Sequence, residues 1–168
     1  MVLNQLASAQ QNAVIKPLKI SVPPVIDGVL SEDIYTDSAG ISGFKTFVPD
    51  YGKDLPFKTI VWVSYDEENL YYAFRCFDSE PDKIKVSVDA RDKIRQDDWV
   101  CVNLDSFTDQ QTLYCIYANA NGIQMDSRFA AGNEDLGMDL VFYSAGKIEF
   151  LSDEQTTVDI QCRARHIG

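Results

Sequence analysis

The chain has 168 residues, 45% of them hydrophobic, and carries 15 Lys and Arg against 26 Asp and Glu for a net charge of -11. This is the length of one domain able to bury a core, and its charge repels a phosphate backbone or an anionic lipid surface, so nucleic acid is excluded as a partner. No apolar run approaches the ~20 residues of a membrane span, so this domain is not expected to insert in a membrane.

Residues 1–14 are polar and without periodicity, as in a flexible arm, and residues 15–168 read as one domain. Within the arm, Ala7, Ser8 and Ala9 form an A-x-A pattern like the end of a secretory signal, which points to an exported protein: periplasmic, outer-membrane-associated or extracellular. Acidity as a solubility device agrees with export. In "VIKPLKISVPPVIDG", Pro23, Pro24 and the Asp27-Gly28 pair break short apolar stretches as turns do. "LSEDIYTDSAG" predicts one short helix capped by Ser31. "GFKTFVPDYGKDLPFK" follows as a loop.

From Lys58 the hydrophobic period becomes two. "KTIVWVSYD" sends Val61, Val63 and Tyr65 to one face and Ile60, Trp62 and Ser64 to the other; after a short turn, "ENLYYAFRCFD" alternates Tyr72, Phe74 and Cys76 against Tyr71, Ala73 and Arg75, which completes a hairpin. "DWVCVNLD" turns Val100, Val102 and Leu104 inward and Trp99, Cys101 and Asn103 outward. "TLYCIYANANG" answers with Tyr114, Ile116 and Ala118 inward and Leu113, Cys115 and Tyr117 outward. Strands are also expected at "LVFYSAGKIEF" and "QTTVDIQCR". The ending "CRARHIG" breaks the pattern, so the domain is expected to be truncated or altered beyond Gln161. Seven or more short strands with little helix predict an all-β fold, an antiparallel two-sheet β-sandwich with one short N-terminal helix.

Cys76, Cys101, Cys115 and Cys162 lack the C-x-x-C spacing of a zinc or redox centre. Cys101 and Cys115 fall on one face of neighbouring strands, either as buried thiols or as a disulfide.

The strings "PPVIDGVLSEDIY", "TIVWVSYDEENLYYAFRCFDSEPDKI" and "RDKIRQDDWVCVNLDSFTDQQTLYCIYANANGIQMDS", in that order, resemble the carbohydrate-binding module family 9-like domain from about Leu18 to Gln161. The resemblance implies a β-sandwich that often stands at the front of a larger exported bacterial protein. In sugar-binding members it also implies a face that stacks aromatics on a saccharide, and structural calcium near the loops. Trp62 and Trp99 are the two tryptophans available, although neither aligns securely with the family's stacking pair.

Trp62, Trp99 and Tyr117 lie opposite the expected core, where a saccharide can pack its CH groups, with Arg75, Arg91 and Asn103 as hydrogen-bonding companions. Burial under another segment competes for the aromatics, and surface salt bridges compete for the arginines. Asp97, Asp98, Asp105 and Asp109, with Asp78, Asp92 or Asp126 from nearby loops, supply oxygens of the kind Ca2+ takes, but in no EF-hand spacing; capping turns is the other duty of such residues.

Catalysis finds little support. Asp98 and Asp105 close opposite ends of one strand, roughly 23 Å apart at strand rise, whereas glycosidase carboxylates stand within about 9.5 Å. The only histidine, His166, is near the end of the sequence, which leaves Met125 and Met138 without a partner for haem and any serine or cysteine without a base. The expectation is therefore a non-catalytic module that holds an oligo- or polysaccharide, as part of a larger exported protein of carbohydrate metabolism. The alternative is a structural or interaction module docking on its own C-terminal region or on an envelope partner.

Overall fold

The computed structural model describes residues 15–152 and 155–165. The A-x-A pattern, the arm that holds it and His166 lie outside them. Among the described residues nine strands form two sheets: β1 (Leu18–Lys19), β2 (Thr59–Tyr65), β3 (Asn69–Asp78), β4 (Trp99–Leu104), β5 (Thr112–Asn119), β6 (Gln124–Ala130), β7 (Asn133–Asp135), β8 (Phe142–Ser152) and β9 (Gln155–Arg165). One sheet has the order β1-β2-β3-β9-β8 and the other β4-β5-β6-β7; only the β1–β2 pair is parallel.

The alternation read from the sequence sorts the strands correctly. Val61, Tyr72, Phe74, Ala118, Val158, Ile160 and Cys162 are buried between the sheets, and Val100, Val102 and Leu104 pack against them. The β2–β3 turn shows why a Tyr-Asp pair is followed by Leu-Tyr. Asp66 accepts the amides of Glu68 and Asn69 at 2.8 and 2.7 Å on one carboxylate oxygen, and the Tyr71 hydroxyl donates to the other at 2.5 Å. One side chain thus satisfies the turn's donors and fixes the register.

One expectation needs correcting. No helix forms at Leu30–Gly40: the segment makes separate turns, closed by Tyr35 N donating to Glu32 O and Ala39 N to Thr36 O. Leu30 and Tyr35 both pack on the outer face of the five-stranded sheet, and residues five apart lie about 140° apart around a helix. The separate turns bring both side chains to that face. At the other end of the chain, β9 continues past Gln161 to Arg165, with Cys162 and Ala164 only 3% and 4% exposed and paired with Tyr72 and Leu70 of β3.

The Asp27-Gly28 turn is held by the buried Gln161, whose Oε1 accepts the amides of Asp27 and Gly28 at 3.0 and 2.8 Å. Nearby, β8 crosses the β5–β6 turn so closely that a Cβ on Gly146 would lie 2.4 Å from the Ala120 carbonyl oxygen and 2.9 Å from the Gly122 nitrogen. Those neighbours are backbone and cannot swing aside. Gly146→Ala is therefore expected to cost about 1–3 kcal/mol, the usual range for overpacking. Urea denaturation monitored by circular dichroism would read this as a lower midpoint with an unchanged slope.

The four cysteines are free thiols. Cys101 pairs with Tyr117, and Cys115 with Asn103, so the two cysteines sit diagonally and not opposite each other. The Cys101 thiol donates to Asn103 Oδ1 at 3.3 Å, and burial pushes its pKa up to about 12.

Candidate functional site

The outer face of the four-stranded sheet follows from cross-strand register. Trp99 stands beside Asn119; in successive rows Cys101 flanks Tyr117 and Met125, Asn103 flanks Cys115 and Ser127, and Leu113 flanks Phe129 and Glu134. Ile94, fully buried, closes over Cys115, Tyr117 and Met125. Trp99 escapes this cover and remains 43% exposed.

Its ring stands edge-on to Tyr117, with centroids 5.0 Å apart and planes at 89°. Tyr117 is itself buried, so it braces the indole and leaves the flat indole surface as the aromatic that a ligand would meet. Burial raises the pKa of its hydroxyl, which stays protonated and faces Ser127 Oγ and Glu134 Oε1 at 3.5 and 3.4 Å. Ser127 Oγ donates to the same Glu134 oxygen at 2.9 Å, and Arg95 donates to the other at 3.1 Å. Asn103 is exposed on this face, as is Phe129, 40% accessible. The surface thus combines one braced indole with polar groups beyond it.

Asn119 anchors the loop that precedes Trp99. Fully buried, it donates to Ser87 O and Asp97 Oδ2 and accepts the amides of Asn121 and Ile123. Behind Trp99 a cavity of about 130 Å³ opens between the sheets, with Asp78, Asp98 and Trp99 at its lip and Ile84, Val100, Val158 and Ile160 in its wall.

The other expected site residues lie elsewhere. Trp62 is 4% exposed beneath Leu30 and Tyr35, and its Nε1 donates to Thr36 O at 2.8 Å; its ring plane is covered, which corrects the expectation of an open stacking surface. Arg75, on the opposite sheet, forms a two-pronged ion pair with Asp159, with Nε and Nη2 at 2.9 and 2.6 Å from its oxygens. That carboxylate is 2% exposed, so Arg75 neutralises a buried charge. Arg91 donates to the fully buried Asp126 and, at 2.7 Å, to Leu140 O, while its guanidinium lies 5.4 Å from the Phe142 ring. Neither arginine reaches Trp99's face. Only Trp99, Tyr117 and Asn103 of the expected six share it.

The aspartates each close a separate piece of backbone. Asp97 accepts the Ser87 hydroxyl at 2.6 Å and the Asn119 amide at 2.8 Å, and these bonds, the Ser87 bond foremost, hold its pKa below the usual carboxylate value. Asp98 accepts the Lys85 amide, Asp105 those of Asp109 and Gln110, and Asp109 those of Gln111 and Thr112. Among the described residues no three of His, Cys, Asp and Glu gather as a metal site would require. Thermal unfolding midpoints in millimolar calcium and in chelator are accordingly expected to coincide; a calcium-dependent rise would assign these acids to a cation after all.

Arg95, Ser127, Phe129 and Glu134 were not singled out in the sequence. The alternation of Met125, Ser127 and Phe129 was a usable signal, but Glu134 reaches the face through the three-residue strand β7, too short to show a period.

No protein-family model matches the sequence, and no curated protein sequence matches it. Among solved structures, the chain is similar to a carbohydrate binding module family 9 (CBM9) from Caldicellulosiruptor kristjanssonii in complex with cellotriose, at TM-score 0.57 and 19% identity, over 91% of this chain and 69% of that one. A second structure of a family 9 module from the same organism, in complex with glucose, superposes at TM-score 0.56 and 19% identity, over 91% and 70% of the two chains. At this level of identity the likeness is one of architecture: the two-sheet fold of this chain is family 9-like.

Proposed function

We propose that this domain is a non-catalytic carbohydrate-binding module that holds a saccharide against Trp99, with Asn103 and the Arg95–Glu134 pair meeting its hydroxyls. The observation that carries the reading is the exposed indole, braced edge-on by a buried tyrosine and bordered by polar side chains. An apolar ring plane beside hydrogen-bonding groups matches the two-sided chemistry of a sugar. The family 9-like neighbours, solved with cellotriose and glucose, support the ligand class.

The open face offers one tryptophan, so binding should be weak, on the order of 1 mM, or about -4 kcal/mol. Polymeric saccharides are met outside the cell, and the reading places the domain in an exported protein, attached to a partner that acts on the polymer. Among the described residues no helix is long and apolar enough to cross a membrane.

Titration of the 15N-labelled domain with cellotriose and with glucose tests this. Saturable shifts of the Trp99 indole resonance and of Asn103 are expected. Shifts absent with every glycan tried would favour the alternative, in which Trp99 and Phe129, the two exposed rings of the same face, dock a protein.

A further inference from the structure

On the opposite sheet, beyond the segment that covers Trp62, lies a cavity of about 220 Å³ lined by Glu68, Asn69, Val141, Tyr143, Arg163 and Arg165. Register builds it: Arg163 of β9 lies between Tyr71 of β3 and Tyr143 of β8, and Arg165 pairs with Asn69. These positions alternate outward on the face whose neighbouring row, Ala73, Gln161 and Ala145, meets the Asp27–Tyr35 segment through Gln161. That cover does not reach the next row. There the Arg163 guanidinium sits 4.5 Å from the centroid of the Tyr143 ring, and Tyr143 remains 55% exposed, with one ring face taken by the cation and the remainder open.

The charge is unusual for this molecule. The chain carries -11 overall, yet two guanidinium groups converge here, and among the described residues neither has an ion-pair partner, whereas Arg75, Arg91, Arg95 and Arg128 do. Asp66, in the adjoining turn, already accepts the Tyr71 hydroxyl and two amides. Glu68 and Asn69 add an acceptor and an amide to the same lining.

We propose that this cavity is a second ligand site, selective for a carboxylate-bearing sugar residue. The carboxylate pairs with Arg163 and Arg165, the sugar ring rests against Tyr143, and Glu68 and Asn69 accept or donate to hydroxyls. A bare anion lacks anything to place on Tyr143; a neutral sugar leaves the guanidinium pair unanswered. The volume lies below the ~300 Å³ at which drug-sized pockets begin, which suits one sugar residue. Planar guanidinium groups match a carboxylate's two oxygens, so Arg serves better here than Lys.

The test compares D-galacturonate, D-galactose and inorganic phosphate by NMR titration of the wild-type domain and of Arg163→Gln, Arg165→Gln, Tyr143→Leu and Trp99→Ala. Galacturonate is expected to bind, with shifts at Tyr143 and Asn69, and to weaken about tenfold in either arginine variant. It should also weaken in Tyr143→Leu, fade in high salt and persist in Trp99→Ala. Galactose or phosphate binding as well as galacturonate, loss of binding in Trp99→Ala, or no saturable shift would each overturn the proposal. Should Arg163→Gln fail to fold, Arg165→Gln and Tyr143→Leu decide it. The cellotriose titration at Trp99 reads the other face, so either site can fail alone.

Discussion

Arg91→Ala is expected to lower the free energy of unfolding by about 3–5 kcal/mol, the range for removing one partner of a buried ion pair. The cost arises less from the lost attraction than from what remains. Asp126 is fully buried on the inner side of the four-stranded sheet, and its described partners are Arg91 and the Leu140 amide, the latter at 3.0 Å. Without the guanidinium it keeps an uncompensated charge away from water, which penalises folding. Arg91 also donates to Leu140 O and, at 3.2 Å, to Gln124 Oε1, so its loss frees the approach to β8 from β6. A domain of this size has about 5–15 kcal/mol in all, so the variant should be partly unfolded at room temperature. Urea denaturation of the variant and of the double replacement Arg91→Met with Asp126→Leu separates the causes. The double variant should regain much of the loss, because removing both charges also removes the desolvation penalty. Equal midpoints for wild type and Arg91→Ala would show that Asp126 is solvated.

The same ion pairs mark where sequence reading stopped. Alternation assigns a side chain to a face from its own neighbours alone, and it worked for β2 to β5 because their inward rows are largely apolar. It does not reveal what covers an outward row. Arg75 looked available because its partner, Asp159, is 84 residues away on β9. Trp62 looked open because alternation placed it outward, while the segment that hides it suggested a helix through its capping serine, Ser31. Leu30 and Tyr35, five residues apart, held the contrary signal: both are apolar, and no single helical face could bury them together. The aspartates carried their chemistry locally, and their role as turn caps was readable; a shared cation depends on several loops converging, which no single stretch of sequence displays.

The two tryptophans should therefore respond in opposite ways to the same replacement. Trp62→Ala is expected to cost about 3–5 kcal/mol, since it empties a packed site between Leu30, Ile60 and Tyr35 and leaves the Thr36 carbonyl without its indole donor. Trp99→Ala removes a ring that is already 43% exposed and should change stability by under about 1 kcal/mol, while cellotriose affinity falls at least about tenfold, as when a stacking aromatic worth roughly 1–3 kcal/mol is lost. Trp99→Phe should restore part of the affinity, because Tyr117 can still brace a ring at that position edge-on. Denaturation midpoints and titrations on the same samples give both coordinates for each variant. A Trp99→Ala domain that unfolds early would move this indole into the structural class with Trp62. One that folds normally and binds cellotriose as tightly as wild type would transfer the saccharide to another surface and leave the Trp99 face to a protein partner.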